Sequence, residues 1–273
     1  MRDVATTDLL RLATRLATEA TDIALDRLGT SPVARKQDDS VVTDVDHDIQ
    51  AHILSAIATT FPDHAVCAEE TLRAPAEHAD VTSARFCWVI DPLDGTRNYV
   101  SSFPCFATSI AVLDRGIPVA AVIVEHNLRR LFAASAGNGA TMNNQPIRVQ
   151  APPAQSDMIV ATPSSKDELT VRVVQNWSAT RGLIVRNLGA TTFHLALVAC
   201  GALAGAFAKR AKLWDVAAGA LLVTEAGGRI TSADGSDLLP FDLSGDPNAD
   251  VPFLAAAPQV YERLIESIPK PTK

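Results

Sequence analysis

The sequence predicts a layered α/β fold with two sheets, and three observations support this prediction. Apolar residues recur at helical spacing in the first part of the chain. Short β-rich runs separated by turn residues come next, which favours an antiparallel sheet. The second half then alternates strand-like and helical segments. Because no G-x-G-x-x-G follows an early strand, a parallel dinucleotide-binding sheet is disfavoured.

The chain opens with two predicted helices. Leucines and alanines at helical spacing predict a first helix over residues 7–29, with Gly29 as its stop signal. Residues 37–40, Gln-Asp-Asp-Ser, predict a turn. A second helix is predicted over about residues 44–59, with its isoleucines facing the core.

Turn residues divide the rest of the chain into predicted strands and helices. The first half is expected to contain strands at 64–68, 86–91, 106–113, 117–124 and 130–134. Asp114-Arg115-Gly116, between the third and fourth of these, is a hairpin signal. In the second half, strands are expected near 157–162, 182–187, 203–208 and 253–257, and helices near 167–177, 190–202, 214–226 and 258–267. Gly227-Gly228 is typical of the end of a helix.

Length and charge limit the classes of function. With 273 residues, 47% of them hydrophobic, the chain is expected to form a single domain of two packed halves, roughly residues 1–150 and 151–273. A formal net charge of −7 and no dense Lys/Arg run argue against a partner that is a nucleic acid or a membrane surface. The four cysteines have no C-x-x-C spacing, and the three that lie in apolar runs are interpreted as small buried thiols. We recognise no signal peptide and no apolar run of spanning length, so a cytoplasmic protein is expected.

Residues 88–99, Trp-Val-Ile-Asp-Pro-Leu-Asp-Gly-Thr-Arg-Asn-Tyr, carry the strongest chemical signal. An apolar strand runs into Asp91, and a second carboxylate follows at Asp94. Carboxylates are the ligands that Mg²⁺ prefers, and two ions that share one carboxylate can clamp a phosphoryl group. The backbone amides of Gly95 and Thr96 come next and could hold an anion. A turn with solvated acids, capped by the Thr96 hydroxyl, is the structural alternative.

Further acids lie where predicted strands end or helices begin. Glu69 and Glu70 follow a predicted strand, which would place Glu69 beside Asp91 if the two strands are neighbours; a surface pair is the alternative. Asp215 begins a predicted helix, where a helix N-cap is the alternative. Asp46 lies in Thr-Asp-Val-Asp before the second helix, and it could cap that helix or orient a water with a threonine. Together these residues predict a metal-assisted phosphatase.

Several motifs resemble the inositol monophosphatase family of lithium-sensitive, Mg²⁺-dependent phosphatases. The segments that carry the resemblance are 42–46, 68–71, 88–99, 144–149, 186–191 and 213–228. The resemblance covers nearly the whole chain. It implies a five-layer αβαβα sandwich, which forms a homodimer and hydrolyses a small phosphomonoester such as an inositol phosphate.

The resemblance also implies roles for individual residues. Two to three Mg²⁺ ions would be held by Glu69, Glu70, Asp91, Leu93 (through its carbonyl), Asp94 and Asp215. The attacking water would be oriented by Asp46, Glu69 and Thr96. The substrate would contact Asp94, Gly95, Thr96, Ser164, Gly189, Ala190 and Thr191.

One departure from the family pattern concerns the substrate. Inositol enzymes of the family have an acid about seven residues before the Trp-Asp aspartate, whereas this chain has Ala208, followed by Lys209, Arg210 and Lys212. The hypothesis is that Lys209 and Arg210 bind a second anionic group, as in fructose bisphosphate or adenosine bisphosphate. Histidinol phosphate is another candidate, and solvated cations or cations at a dimer face are the plain alternative. A non-catalytic accessory to the transcription machinery is the alternative from another class.

Overall fold

A computed structural model describes residues 5–35, 41–71, 80–151 and 157–269, so the predicted turn at 37–40 lies outside the described residues. The helices in the described part are α1 (Thr6–Asp26), α2 (Asp44–Thr60), α3 (Thr96–Val100), α4 (Glu168–Ala179), α5 (Thr191–Ala199), α6 (Leu213–Glu225) and α7 (Pro258–Ser267). Six of them match predicted helices, and α3 is an addition. None of the helices in these ranges is both long and apolar enough to cross a membrane.

The strands form two large sheets and one small pair. Their bounds are β1 (Val33–Arg35), β2 (Val41–Thr43), β3 (Ala65–Ala68), β4 (Phe86–Asp94), β5 (Ala107–Asp114), β6 (Ile117–Glu125), β7 (Arg130–Ser135), β8 (Ala140–Met142), β9 (Gln145–Ile147), β10 (Met158–Ala161), β11 (Leu183–Arg186), β12 (Gly205–Ala208), β13 (Arg229–Ser232) and β14 (Phe253–Ala256). The sequence did not predict β1, β2, β8, β9 or β13. Four of them are only three residues long, too short for a clear alternating pattern, and β13 has four residues.

A seven-stranded sheet has the order β3-β4-β5-β6-β7-β8-β9. Only β3 and β4 are parallel in it, and the other neighbours are antiparallel. The predicted hairpin at Asp114-Arg115-Gly116 joins β5 to β6, with φ of 50° at Arg115 and 82° at Gly116. Positive φ at both central residues is the geometry that two-residue hairpin turns favour. The hairpin prediction is therefore confirmed.

The five-stranded sheet has the order β11-β10-β12-β14-β13. Here β10 pairs in parallel with both β11 and β12, whereas β14 is antiparallel to its two neighbours. The remaining strands, β1 and β2, form a separate antiparallel pair.

Three hydrophobic clusters separate the layers. The first lies between α1, α2 and one face of the seven-stranded sheet, and it receives Trp88 and Ile90 of β4. The second receives Cys87 and Val89 from the opposite face and surrounds α5 and α6. The third lies between the five-stranded sheet and α4 and α7. Alternate β4 side chains thus enter different clusters, as the period of a strand requires, and the predicted five-layer αβαβα order is confirmed.

Helices α5 and α6 approach each other closely in the central layer. A Cβ built on Gly219 of α6 would lie 2.4 Å from Leu195 Cδ1 of α5, so only glycine fits at this contact. The close approach places the first turns of both helices next to the end of β4, where the acidic residues meet.

Candidate active site

The two carboxylates of residues 88–99 are set by a bulge in β4. Pairing with β5 is regular up to Asp91 and resumes at Asp94. Pro92 and Leu93 therefore lie opposite the single residue Thr108. The Leu93 amide donates to Asp91 Oδ1 at 3.1 Å. The bulge lets both acids of one strand end face the same cleft.

Asp94 lies at the first turn of α5. Its Oδ2 accepts from both the amide and the hydroxyl of Thr192, each at 2.7 Å. Amides at a helix start are natural partners for a carboxylate. Thr192 was not among the predicted site residues, although it directly follows the predicted substrate residue Thr191. This contact orients Asp94 and leaves Oδ1 to other partners.

Asp215 is the third residue of α6 rather than its N-cap. The helix begins at Leu213, one residue before the predicted start at residue 214. Asp215 Oδ2 accepts from the Lys212 amide at 2.7 Å, which is the backward half of a capping box. The prediction that Asp215 is the N-cap is therefore wrong. Asp215 still caps the helix, because its side chain accepts from the backbone amide of the N-cap residue Lys212.

The three acids converge. Asp91, Asp94 and Asp215 each offer an oxygen within 4.8 Å of the other two; Asp91 is buried and the others are partly buried. Burial, followed by repulsion from Glu69 and Asp94, raises the pKa of Asp91 well above its ordinary value. Burial raises the pKa of Asp94 to about 6, against the effect of its threonine bonds. Burial and then the charge of Asp94 raise the pKa of Asp215 well above its ordinary range.

A second polar group adjoins these acids. Asp46 is the third residue of α2, and its Oδ2 accepts from the Thr43 amide at 2.8 Å and the Thr43 hydroxyl at 2.6 Å. Thr96 Oγ1 lies 3.1 Å from Asp46 Oδ1 and 2.9 Å from the Leu93 carbonyl. The capping cluster expected at the start of α2 is confirmed. Thr96, in contrast, is the first residue of α3, and the N-cap is Gly95.

Glu69 and Glu70 begin a short 3-10 turn directly after β3. Because β3 runs parallel to β4, its end lies at the same edge of the sheet, and Glu69 lines the cleft beside Asp91. The Glu70 amide donates to Gln50 Oε1 of α2 at 3.0 Å. The turn is thereby attached to the helix that carries Asp46.

The resulting acidic cleft has a volume of about 210 Å³. It is lined by Val41, Glu69, Asp91, Leu93, Asp94, Gly95, Thr96, Arg97, Gly189 and Asp215. Gly95 has φ of 84°, and a Cβ there would lie 2.8 Å from the Cys105 carbonyl, so this backbone requires glycine.

The opposite wall is the loop before α5. Asn98 Nδ2 donates to the carbonyls of Cys105 at 2.6 Å and Leu188 at 2.7 Å, which joins this loop to the segment after α3. A Cβ on Gly189, whose φ is 75°, would lie 2.7 Å from Asn98 Nδ2. Asn98 was not among the predicted site residues, although it lies inside the motif at 88–99.

The remaining predicted substrate residues differ in their position. Ala190 is the N-cap of α5, directly before Thr191. Ser164 lies farther along the loop after β10, where its Oγ accepts from Asn187 Nδ2 at 2.6 Å. Neither residue is in the lining of the acidic cleft, which leaves their contact with a substrate a prediction.

Lys209 and Arg210 lie elsewhere. Lys209 lines a larger cavity of about 630 Å³, the C-terminal cavity, together with Leu169, Ser232, Ala233, Asp234, Pro252, Ile265, Glu266, Ile268 and Pro269. Arg210 Nε lies 3.7 Å from Asp250 Oδ2, and Lys212 Nζ lies 2.8 Å from the other oxygen of that carboxylate. The structure does not bring these cations to the acidic cleft.

The chain matches the model of the Inositol monophosphatase family over residues 6–271. It is 36% identical to an Inositol-1-monophosphatase of Synechocystis, over 75% of this chain and 70% of that protein. It is 35% identical to a Nus factor SuhB of Xylella fastidiosa, over 81% of this chain and 79% of the relative. Its fold is similar to an extragenic suppressor protein suhB from Bartonella henselae, with a TM-score of 0.85, 26% identity, and coverage of 97% of this chain and 100% of the other. With family motifs, acidic cleft and fold in agreement, the chain belongs to the inositol monophosphatase family.

Proposed function

We propose that this protein is a Mg²⁺-dependent phosphomonoesterase that hydrolyses a small sugar or polyol phosphate, with inositol monophosphate as the first candidate. One observation carries the proposal: three carboxylates from β4 and α6 converge within 4.8 Å beside the Asp46–Thr96 pair. Such crowding is costly for ionised acids unless a cation lies among them.

The donor set fits Mg²⁺. The available ligand atoms are carboxylate and carbonyl oxygens, which magnesium prefers to nitrogen or sulfur. Asp91, Asp94 and Asp215 would hold the metal, with Glu69, Glu70 and the Leu93 carbonyl as the further ligands that the family resemblance implies. When bound, Mg²⁺ supplies positive charge to the phosphate and leaving oxygens and lowers the pKa of water.

The chain's own residues account for the proton transfer. The attacking water donates to Thr96 Oγ1, and the Thr96 proton passes to Asp46 Oδ1, which is 3.1 Å away. Burial raises the pKa of Asp46, which makes this carboxylate a better proton acceptor than an ordinary aspartate. The two Thr43 donors hold its other oxygen and fix its direction.

The backbone of Gly95 and Thr96 binds the phosphate in this proposal. Gly95 forms part of the cleft wall without a side chain, so a phosphate oxygen can approach the main chain closely. Gly189, which lines the cleft, and Ala190 and Thr191, which follow it at the start of α5, contact the hydroxyl-bearing part of the substrate in this proposal, with Ser164 more distant.

The experiment is a phosphate-release panel with Mg²⁺. The substrates are inositol phosphates, fructose bisphosphate, histidinol phosphate and adenosine bisphosphate. We expect release from at least one ester, its loss with EDTA, and its restoration by added Mg²⁺. Folded protein that releases no phosphate from any ester with Mg²⁺ or Mn²⁺ would contradict the proposal.

A second candidate comes from the comparison with relatives named Nus factor SuhB. In that case the protein acts as a binding accessory to transcription, and phosphate release is absent from the whole panel. The intact set of acids in the cleft favours catalysis over this alternative. A homodimer, a cytoplasmic location and inhibition by lithium also belong to the proposal, and gel filtration with light scattering and a lithium titration of phosphate release test the first and the last.

A further inference from the structure

The bulge that carries the acids has a buried polar support on its other side. Pro92 and Leu93 lie opposite Thr108, so the local ladder of backbone hydrogen bonds is interrupted there. The Pro92 carbonyl accepts instead from Thr108 Oγ1 at 2.7 Å. The hydroxyl of Thr108 therefore takes the place of a strand partner.

The support continues to α1 through a histidine. His126 Nε2 lies 3.1 Å from Thr108 Oγ1, and His126 Nδ1 lies 3.0 Å from Thr21 Oγ1 of α1. All three side chains are buried. Phe106 packs against the imidazole at a ring distance of 5.6 Å and limits its rotation.

The donor directions follow from the number of protons. Thr108 spends its single proton on the Pro92 carbonyl, so the hydroxyl oxygen must accept from His126 Nε2–H. A neutral imidazole then has Nδ1 as an acceptor, so the single Thr21 proton goes to His126 Nδ1 at 3.0 Å rather than to the Ala17 carbonyl at 3.2 Å. Burial lowers the pKa of His126 to about 3, which keeps the ring neutral as this arrangement needs.

We infer that Thr108 and His126 are positioning residues, which hold the Asp91–Asp94 bulge in the geometry that binds the metal of the proposed phosphatase. The inference rests on the proposed function. Neither residue lines the acidic cleft, so both act only through the backbone of Pro92. The Pro92 peptide is the link between the two ligand side chains, and its fixed carbonyl sets their separation.

The test is the affinity for Mn²⁺, an EPR-visible substitute for Mg²⁺, measured on the intact protein without substrate. Thr108→Val keeps the shape of the side chain but removes the hydroxyl, and we expect Mn²⁺ binding to weaken about 10-fold, the lower end for outer-shell partners of a metal. Thr108→Ser restores the hydroxyl and is expected to bind Mn²⁺ as the wild type does.

Thr231→Val is the matched control. Thr231 is also a buried strand threonine, and its hydroxyl lies 2.8 Å from the Ser232 carbonyl and 2.6 Å from Tyr261 Oη, in the five-stranded sheet. Both valine variants are expected to lower Tm, but only Thr108→Val lowers the Mn²⁺ affinity. His126→Gln, which offers an amide donor near the Nε2 position, gives a second comparison with His126→Leu if Thr108→Val does not fold.

The outcomes separate the two proposals. Wild-type Mn²⁺ affinity in Thr108→Val, or equal losses in Thr108→Val and Thr231→Val, overturns the positioning role while leaving the phosphatase proposal intact. Should Thr108→Val not fold, equal Mn²⁺ affinity in His126→Gln and His126→Leu does the same. A wild-type protein that binds no Mn²⁺ overturns both.

Discussion

The acidic cleft and the C-terminal cavity belong to different layers of the same fold, and they differ in size and in chemistry. The cleft at the end of β4 has about 210 Å³ and is lined by four carboxylates. The cavity beside α4 and α7 has about 630 Å³ and a lining that combines apolar residues with Lys209, Asp234 and Glu266. Volume alone would favour the C-terminal cavity as the functional site.

The electrostatic environment of the acids favours the acidic cleft as the functional site. Hydrogen bonds from Ser236 lower the pKa of Asp234 in the C-terminal cavity, so that acid is satisfied within its own turn. In the cleft, burial raises the pKa of Asp94 to about 6 although two threonine groups bond to it. Acids whose pKa values are raised by burial and by one another are stabilised in their ionised form by a nearby cation, and such a cluster points to a functional site better than volume does.

The largest expected effect on activity comes from an Asp→Asn substitution in the acidic cleft, compared with the same substitution in the C-terminal cavity. Asp94→Asn removes one metal-binding charge, and we expect phosphate release to fall by at least about 10³-fold, more than the 10–100-fold typical of outer-shell partners. Asp234→Asn in the C-terminal cavity is the control and should keep wild-type activity. Equal activity of the two variants in a steady-state phosphate assay would contradict the assignment of the acidic cleft, rather than the C-terminal cavity, as the active site.

Thr96→Val tests the proton path within the cleft. The change keeps the volume of the side chain but removes the hydroxyl between water and Asp46, and kcat is expected to fall about 100-fold, as for loss of general acid–base assistance. Thr96→Ser retains the hydroxyl and should recover most of the rate. If kcat is unchanged in Thr96→Val, the proton does not pass through this residue.

The pH dependence of thermal stability, measured with and without Mg²⁺, tests whether the crowded carboxylates of the cleft bind the metal. Because the pKa of Asp94 is raised from 3.8 to about 6, its contribution to metal-free stability is complete below pH 3.8 and is lost as pH rises through 6. Asp91 and Asp215 shift in the same direction. Mg²⁺ at a hundredfold excess over Kd should add about 2.7 kcal/mol, or about 5 °C in Tm, at a pH where these acids are ionised.

The comparison is a thermal melt with and without Mg²⁺ at pH 5 and pH 8. A larger rise at pH 8 supports competition between protons and the metal for the carboxylates. Asp94→Asn should reduce the rise, whereas Asp234→Asn should not. An equal Mg²⁺ effect at both pH values in the wild type would show that the cleft acids are not the binding groups.

The sequence predicted the parts of the site that local geometry determines. Residues 88–99 place two carboxylates at a strand end, and the parallel neighbour β3 brings Glu69 to the same edge. The five layers also followed, since the family motifs cover nearly the whole chain. What the sequence could not give were contacts between distant segments, such as Thr192 to Asp94 or His126 to Thr108, because nothing in a local pattern encodes them.

The error in the predicted start of α6 has a related cause. An aspartate favours an N-cap on average, but a capping box places it at the third position, as in α2 and α6. The sequence indicates an aspartate near the start of the helix, but it does not show which position of the first turn the aspartate occupies. For Asp215 this matters to the chemistry, because the Lys212 amide holds a carboxylate that also has an oxygen within 4.8 Å of Asp91 and Asp94.

The smallest expected effect concerns the cations after β12. Because Arg210 pairs with Asp250 and Lys209 lines the C-terminal cavity, Lys209→Ala and Arg210→Ala should leave the relative rates for monophosphates and bisphosphates unchanged. The measurement is kcat/KM for inositol phosphate and fructose bisphosphate in each variant. A selective loss on the bisphosphate would show that the cations contact a second anionic group after all, and that the substrate reaches beyond the acidic cleft. Unchanged ratios would assign substrate choice to the cleft and its opposite wall, where Gly189 and the start of α5 lie.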